Sequence, residues 1–259
     1  MKKLNRIFAI ALVAILAMSF QTVGAQSLSP STKWHWDKGT IVIDTPERPA
    51  GQEHVLGLTA APIQTVRVAF VGLGMRGPWA VMRFCHIPGV EIVALCDYEA
   101  ERAEKSQDFL RKAGLAPAAI YSGEKGYEEL CKRDDIDLVY IATDWNHHFP
   151  VAKFAMENGK HAAIEVPSAM NLEQCWDLIN LSEKTRMHCF ILENCCYDDY
   201  EMKSLLMAQD GVFGEVIRAE GAYIHELSEF WKHYWKDPED NDKDNLHWRM
   251  KYNMENRGD

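Results

Sequence analysis

No Cys-x-x-Cys pair occurs in these 259 residues, although the chain carries 7 cysteines. That absence argues against a structural zinc site, and no metal is assigned. Cys85, Cys96, Cys131, Cys175 and Cys189 sit in apolar or helix-like stretches, where cysteine behaves as a small buried hydrophobe. Cys195 and Cys196 are adjacent, and no disulfide is assigned. Positive charge is also scarce: 28 Lys and Arg face 38 Asp and Glu, a formal net charge of −10. Such a surface repels phosphate backbones and anionic lipids, so no nucleic-acid partner is expected. Internal repeats and low-complexity tracts are missing. So is any apolar run of membrane-spanning length beyond the N-terminus, and no stable membrane insertion is expected.

What is present is ordinary for a globular protein: 47% hydrophobic and 25% charged residues, with length for one large domain or two smaller ones. Residues 1–25 read as a secretory signal peptide. Lys2, Lys3 and Arg6 precede an apolar core, and Val23-Gly24-Ala25 offers small residues for cleavage. An exported protein, periplasmic or secreted, is therefore expected. Residues 26–64 are polar and proline-containing, with Trp34 and Trp36 in their first half. They read as an N-terminal arm, either laid over the body by its tryptophans or left as a solvated linker.

From Val66 onward strand and helix patterns alternate. Residues 66–71, 91–96, 136–142, 161–165 and 189–193 read as strands, apolar along most of their length. Helix patterns fall between them at 77–84, 100–112, 126–132, 150–158 and 172–184. Strands buried on both faces, separated by helices, make a parallel sheet with helices on either side. The fold class is thus α/β, a Rossmann-type doubly wound sheet over residues 65–200. Residues 202–209 read as a further helix. Residues 214–220 mix polar and apolar side chains like a strand of a different, half-exposed sheet. Residues 201–259 are expected to begin an α+β substrate domain that Asp259 truncates.

The most specific local signal is Gly72-Leu73-Gly74-Met75-Arg76-Gly77, directly after the strand at 66–71. An acid, Asp97, ends the next strand about 20 residues further on, which completes the dinucleotide-binding fingerprint. Gly72 permits the tight turn, Gly74 lets backbone approach a pyrophosphate, and Gly77 lets helix pack on strand. The pyrophosphate would rest on the amides of a helix N-terminus. Asp97 is placed to accept hydrogen bonds from an adenosine ribose, which favours NAD; Arg76 could instead hold the 2′-phosphate of NADP.

Ligands of a doubly wound sheet bind outside the carboxyl ends of its strands, so the residues there are the candidates. Trp145, Asn146, His147 and His148 follow the third strand as a cofactor-lining loop that also begins the next helix, or as a polar helix start with a packed tryptophan. Two adjacent histidines cannot face one point on a helix, so the pair makes no metal site. Glu165 ends its strand before Val166-Pro167; its carboxylate could bond a ribose or a nicotinamide amide, or do nothing. Tyr197 and Tyr223 suit either a sugar-like ligand or packing, and His225 would share the face of Tyr223. Arg249 is by default a solvated arginine.

Together these stretches resemble the Gfo/Idh/MocA oxidoreductase-like superfamily, and within it glycoside hydrolase family 109, the NAD-dependent α-N-acetylgalactosaminidases. The match is carried by the glycine turn, Ala94-Leu95-Cys96-Asp97, Trp145-Asn146-His147-His148, Glu165-Val166, Leu192-Glu193-Asn194-Cys195-Cys196-Tyr197, Gly221-Ala222-Tyr223-Ile224-His225, Trp248-Arg249 and Asn256-Arg257-Gly258-Asp259. The resemblance implies that Met75, Arg76, Asp97, Trp145, Asn146, His147, His148, Glu165, Val166 and Asn194 contact NAD, and that Tyr223 and Arg249 contact substrate. Sugar dehydrogenases of the superfamily usually read Glu-Lys-Pro where this chain reads Glu165-Val166-Pro167, and their lysine helps move the alcohol proton. Valine cannot. The family also carries a Tyr-Pro-Thr-His segment soon after Asn-Arg-Gly-Asp, so either a longer protein or an incomplete product is expected, with the catalytic base beyond Asp259.

The implied activity is hydrolysis of a glycan's terminal α-linked N-acetylgalactosamine. The implied route is transient oxidation at C3, loss of the C2 proton, elimination of the C1 substituent, water addition and return of the hydride. Paired carboxylates are not required, and no pair is nominated. The alternatives are a sugar or cyclitol dehydrogenase of the same superfamily, or a nucleotide-binding fragment without activity. An oligomer is compatible with either enzyme reading.

Overall fold

Apart from Arg67 the segment Val66–Val71 is apolar, half of it β-branched valine, and its last four residues are buried. A computed structural model describes residues 34–43, 47–222, 224, 226, 249, 251 and 252. The expected signal peptide lies outside the described residues. Those that are described divide into two compact units between Ile191 and Leu192.

The first unit begins with a hairpin of β1 (Trp34–Asp37) and β2 (Thr40–Ile43), paired antiparallel. A six-stranded sheet follows, interleaved with helices: β3 (Val66–Val71), α1 (Gly77–Phe84), β4 (Val90–Asp97), α2 (Ala100–Lys112), β5 (Ala119–Ser122), α3 (Gly126–Cys131), β6 (Leu138–Ile141), α4 (Trp145–Glu157), β7 (His161–Ile164), α5 (Leu172–Thr185) and β8 (Cys189–Ile191). Its spatial order is β5-β4-β3-β6-β7-β8, and every pairing is parallel. That is the doubly wound order with its reversal between β3 and β6, where a crevice opens outside the strand ends.

One face of the sheet carries Ala69, Val71, Ala94, Cys96, Val139, Ile141, Ala162 and Ile164, packed with Leu130 and Cys131 of α3, Val151, Ala152, Ala155 and Met156 of α4 and Leu178 of α5. On the other face Phe70 stacks on Tyr140 at 5.1 Å, and both rings meet Phe84 of α1 edge-on. Alternate residues of one strand serve the two cores, which is why the strands read as continuous apolar runs.

Several expectations are corrected. β5 is an additional strand; as a four-residue edge strand with only one buried neighbour it needs no apolar run and left no pattern to find. The helix expected at 150–158 starts at Trp145, and Pro150 lies inside it. The arm is not fastened by Trp36, which is 63% exposed. It is held by Arg48, whose guanidinium Nε reaches both oxygens of buried Glu183 on α5. Gln52 also donates to the Asn180 carbonyl, and Arg186 to those of Glu53 and His54.

In the second unit a 3₁₀ turn (Cys195–Tyr197) leads into α6 (Asp199–Gln209). Residues 214–220, expected as a strand, are irregular and exposed, with Ile217 at 93%. A strand needs a neighbour to take its backbone hydrogen bonds, and among the described residues none lies alongside. No described helix is long and apolar enough to cross a membrane.

Candidate functional site

The turn after β3 is locked by three contacts that the sequence requires. Gly72 sits at φ +93°, and a Cβ there would fall on the backbone of Ala142 and Thr143 at the end of β6. Its amide donates to the Cys96 carbonyl at 2.9 Å. A Cβ on Gly77 would strike the Gly72 carbonyl oxygen, so α1 approaches the strand as closely as glycine allows. Gly74 is different: its added Cβ would meet nothing nearer than the Arg102 guanidinium at 3.9 Å. The first and third glycines are demanded by the protein itself. The middle one faces open space.

Beyond that turn the chain presents donors. Arg76 is the N-cap of α1, and no side chain caps this helix start. Among the described residues no backbone carbonyl takes the amides of Gly74, Met75 or Arg76. All three residues are exposed. A helix N-terminus with spare amides and an open glycine suits a pyrophosphate, so the residues present fit a dinucleotide.

Asp97 ends β4 as a buried carboxylate, 6% exposed. Its Oδ2 accepts from the Leu73 amide at 2.6 Å and its Oδ1 from the Glu99 amide at 3.0 Å. Arg102 of α2 adds a guanidinium 3.5 Å from Oδ1, and also pairs with Glu99 at 3.0 Å. Asp97 thus ties the glycine turn to its own strand end, and lone pairs remain for a ribose hydroxyl. Arg102 was not singled out by sequence reasoning; its spacing of three from Glu99 on a helix was the available signal.

Asp144 caps α4, accepting from the Asn146 amide at 2.9 Å and holding the His147 ring at 2.6 Å. This aspartate too escaped the sequence reading, although an acid before Trp145 fits the N-cap rule. Asn146 and His147 are exposed at the helix start, and Trp145 is half-buried. His148 points the other way. It is 1% exposed, with Nδ1 2.6 Å from the Pro167 carbonyl and Nε2 3.1 Å from the Thr143 carbonyl. Its imidazole fastens the loop after β6 to the turn after β7.

That second turn carries Glu165, Val166 and Pro167, with a cis bond between the last two. Glu165 is half-buried and Val166 is 41% exposed. The Glu165 amide donates to the Ile141 carbonyl at 2.9 Å, and its Oε1 accepts from the Tyr140 hydroxyl at 2.8 Å. Burial, and then the bond to Glu165, push the Tyr140 phenol well above its ordinary pKa, while Arg83 and Arg76 oppose the shift. Tyr140 is the third residue missed by sequence reasoning, because a tyrosine inside an apolar strand looks like any packed aromatic.

Gly72 to Gly77, Asp97, Trp145 to His148, Glu165 and Val166 therefore belong to one rim of one sheet. Asn194 lies in the other unit, exposed, its amide 3.2 Å from the Cys195 sulfur. Tyr197 is 75% exposed. Arg249 is half-buried and helical rather than solvated, while Tyr223 and His225 lie outside the described residues.

The fold agrees with comparisons to known proteins. Residues 66–192 match the profile of the Gfo/Idh/MocA oxidoreductase family, NAD-binding Rossmann fold. The chain is 77% identical to glycosyl hydrolase family 109 protein 3 of Phocaeicola vulgatus over 248 residues, covering 96% of this chain and 45% of that protein. It is 72% identical to glycosyl hydrolase family 109 protein 5 of the same organism, covering 92% and 45%. The chain spans about half the length of the curated relatives it matches. Among solved structures, the myo-inositol dehydrogenase of Lactobacillus casei in complex with NAD(H) and myo-inositol superposes with a TM-score of 0.52 at 23% identity, over 58% of this chain and 43% of that one. At that identity the likeness is one of fold.

Proposed function

This chain belongs to glycosyl hydrolase family 109, within the Gfo/Idh/MocA superfamily, and from that premise we propose that it is the NAD-binding part of an exported glycosidase. The proposed reaction is hydrolysis of terminal α-linked N-acetylgalactosamine from a glycan. NAD, when bound, supplies a reversible hydride acceptor, which permits a redox-neutral hydrolysis. The chain's residues supply placement. Amides at Gly74 to Arg76 take the pyrophosphate, Asp97 the adenosine ribose, and the turn at Glu165 and Val166 the nicotinamide end. On the same reading Asn194 adds a cofactor contact, Tyr223 and Arg249 touch the sugar, residues 201–259 open the substrate domain, and residues 1–25 direct export.

The observation that carries this reading is Val166. It stands exposed at the strand end beside Glu165, where the superfamily's sugar dehydrogenases usually have their proton-moving lysine. An aliphatic side chain can neither take nor return a proton, so the site lacks the proton route those dehydrogenases use, in keeping with the hydrolase branch. Incubating the full-length protein with a chromogenic α-N-acetylgalactosaminide, without added NAD, tests it. Chromophore release supports the hydrolase. NADH accumulation in proportion to added NAD, with no release, would establish the dehydrogenase instead.

A further inference from the structure

Resting on the reading of Glu165 as a dinucleotide contact, we propose that Tyr140 is its positioning residue: the buried hydroxyl holds one carboxylate oxygen so that the other is presented to the ligand. A glutamate at a strand end is otherwise poorly aimed. Its side chain turns about several bonds, and freezing them on binding costs affinity. Here two bonds fix it beforehand. The Glu165 amide is tied to the Ile141 carbonyl at 2.9 Å, which anchors the backbone beside β6. The Tyr140 hydroxyl then donates to Oε1 at 2.8 Å. Among the described residues no other side chain is recorded bonding this carboxylate.

Tyr140 is itself enclosed. It is 4% exposed, stacked on Phe70 at 5.1 Å and met edge-on by Phe84 at 5.6 Å. Its register partner on β7 is Ala163, which carries only a methyl. Glu165 comes two residues after Ala163, and therefore on the same face. A packing role alone would be served by phenylalanine, since the cluster around the ring is apolar. The oxygen has one recorded partner, and that partner sits on the rim.

A double-mutant cycle on the full chain tests this, with NAD⁺ affinity measured by calorimetry and folding checked by thermal melts. Tyr140→Phe is expected to weaken binding about tenfold, as suits loss of a hydrogen bond to a charged group. Glu165→Ala is expected to weaken it at least as much. In the Glu165→Ala background the tyrosine change should then alter affinity less than about twofold, because its route of action is gone. A purely structural tyrosine would give the same factor in both backgrounds, and that result would overturn the proposal. So would wild-type affinity in Tyr140→Phe when Glu165→Ala is weakened, a result that leaves the reading of Glu165 standing. Unchanged binding by Glu165→Ala would overturn both. If loss of the hydroxyl compromised folding, Glu165→Asp asks the question with Tyr140 intact. The shortened side chain should bind NAD⁺ less tightly, and full affinity would again sink the idea.

Discussion

Single residues at the rim separate what the fold needs from what a ligand needs. Gly72 and Gly74 belong to one motif, yet only Gly72 is confined, by its φ of +93° and by the backbone of Ala142 and Thr143. Gly72→Ala should therefore cost about 2 kcal/mol or more of stability in urea unfolding. Gly74→Ala should stay within about 0.5 kcal/mol of the parent, but bind NAD⁺ markedly less tightly. Undiminished binding by that variant would place the pyrophosphate elsewhere. The roles of Gly72 and Gly77 were legible in the sequence because each is a constraint on local backbone. His148 was not legible in the same way. Its neighbours Asn146 and His147 are exposed, while it is enclosed between the carbonyls of Thr143 and Pro167. The direction of a side chain at a helix start depends on where the helix begins, and Pro150 masked that beginning.

At the scale of elements, α4 and the join between β3 and β6 decide how firmly the rim is held. Asp144 caps α4 and holds His147, so Asp144→Ala should lower stability by about 1 kcal/mol in thermal or chemical melts. An unchanged melt would mean that the fold tolerates an uncapped start. The opposite end of the sheet is joined by Arg67, whose guanidinium and amide both bond the Asp137 carboxylate. The Arg67 bond holds the Asp137 pKa below its ordinary value. With the folded pKa depressed, the stabilisation is complete above the unfolded value of about 3.9 and is lost as pH falls through the folded one. Arg67→Met should move the acid unfolding midpoint upward, followed by circular dichroism. No upward movement would show that this pair does not govern acid stability. β5 shows the limit of periodicity, since a short edge strand takes its identity from the neighbour it pairs with.

For the whole molecule, the sheet is closed by helices on both faces, and its cysteines record the result. Burial pushes the thiols of Cys96 and Cys131 up to about 12 and that of Cys189 up to about 11. Below those values they are neutral and poorly nucleophilic. In the native protein at pH 8, Cys195, Cys196 and Cys175, the last exposed on α5 although its sequence reads as buried, should react with a disulfide reagent first, read by peptide mapping. Early labelling of Cys96 would mean that the core between the sheet and α3 opens readily. What the sequence determined unaided was the parallel sheet, the glycine turn, the strand-end acids and the family, because each rests on local patterning within a few turns of chain. What only the tertiary structure decided was which of those residues support others. The Tyr140 bond to Glu165, the Arg102 contact with Asp97, the His148 brace and the Arg48 clamp on Glu183 join residues from different elements. Such pairings are fixed by how the layers stack, and local pattern carries no trace of that stacking.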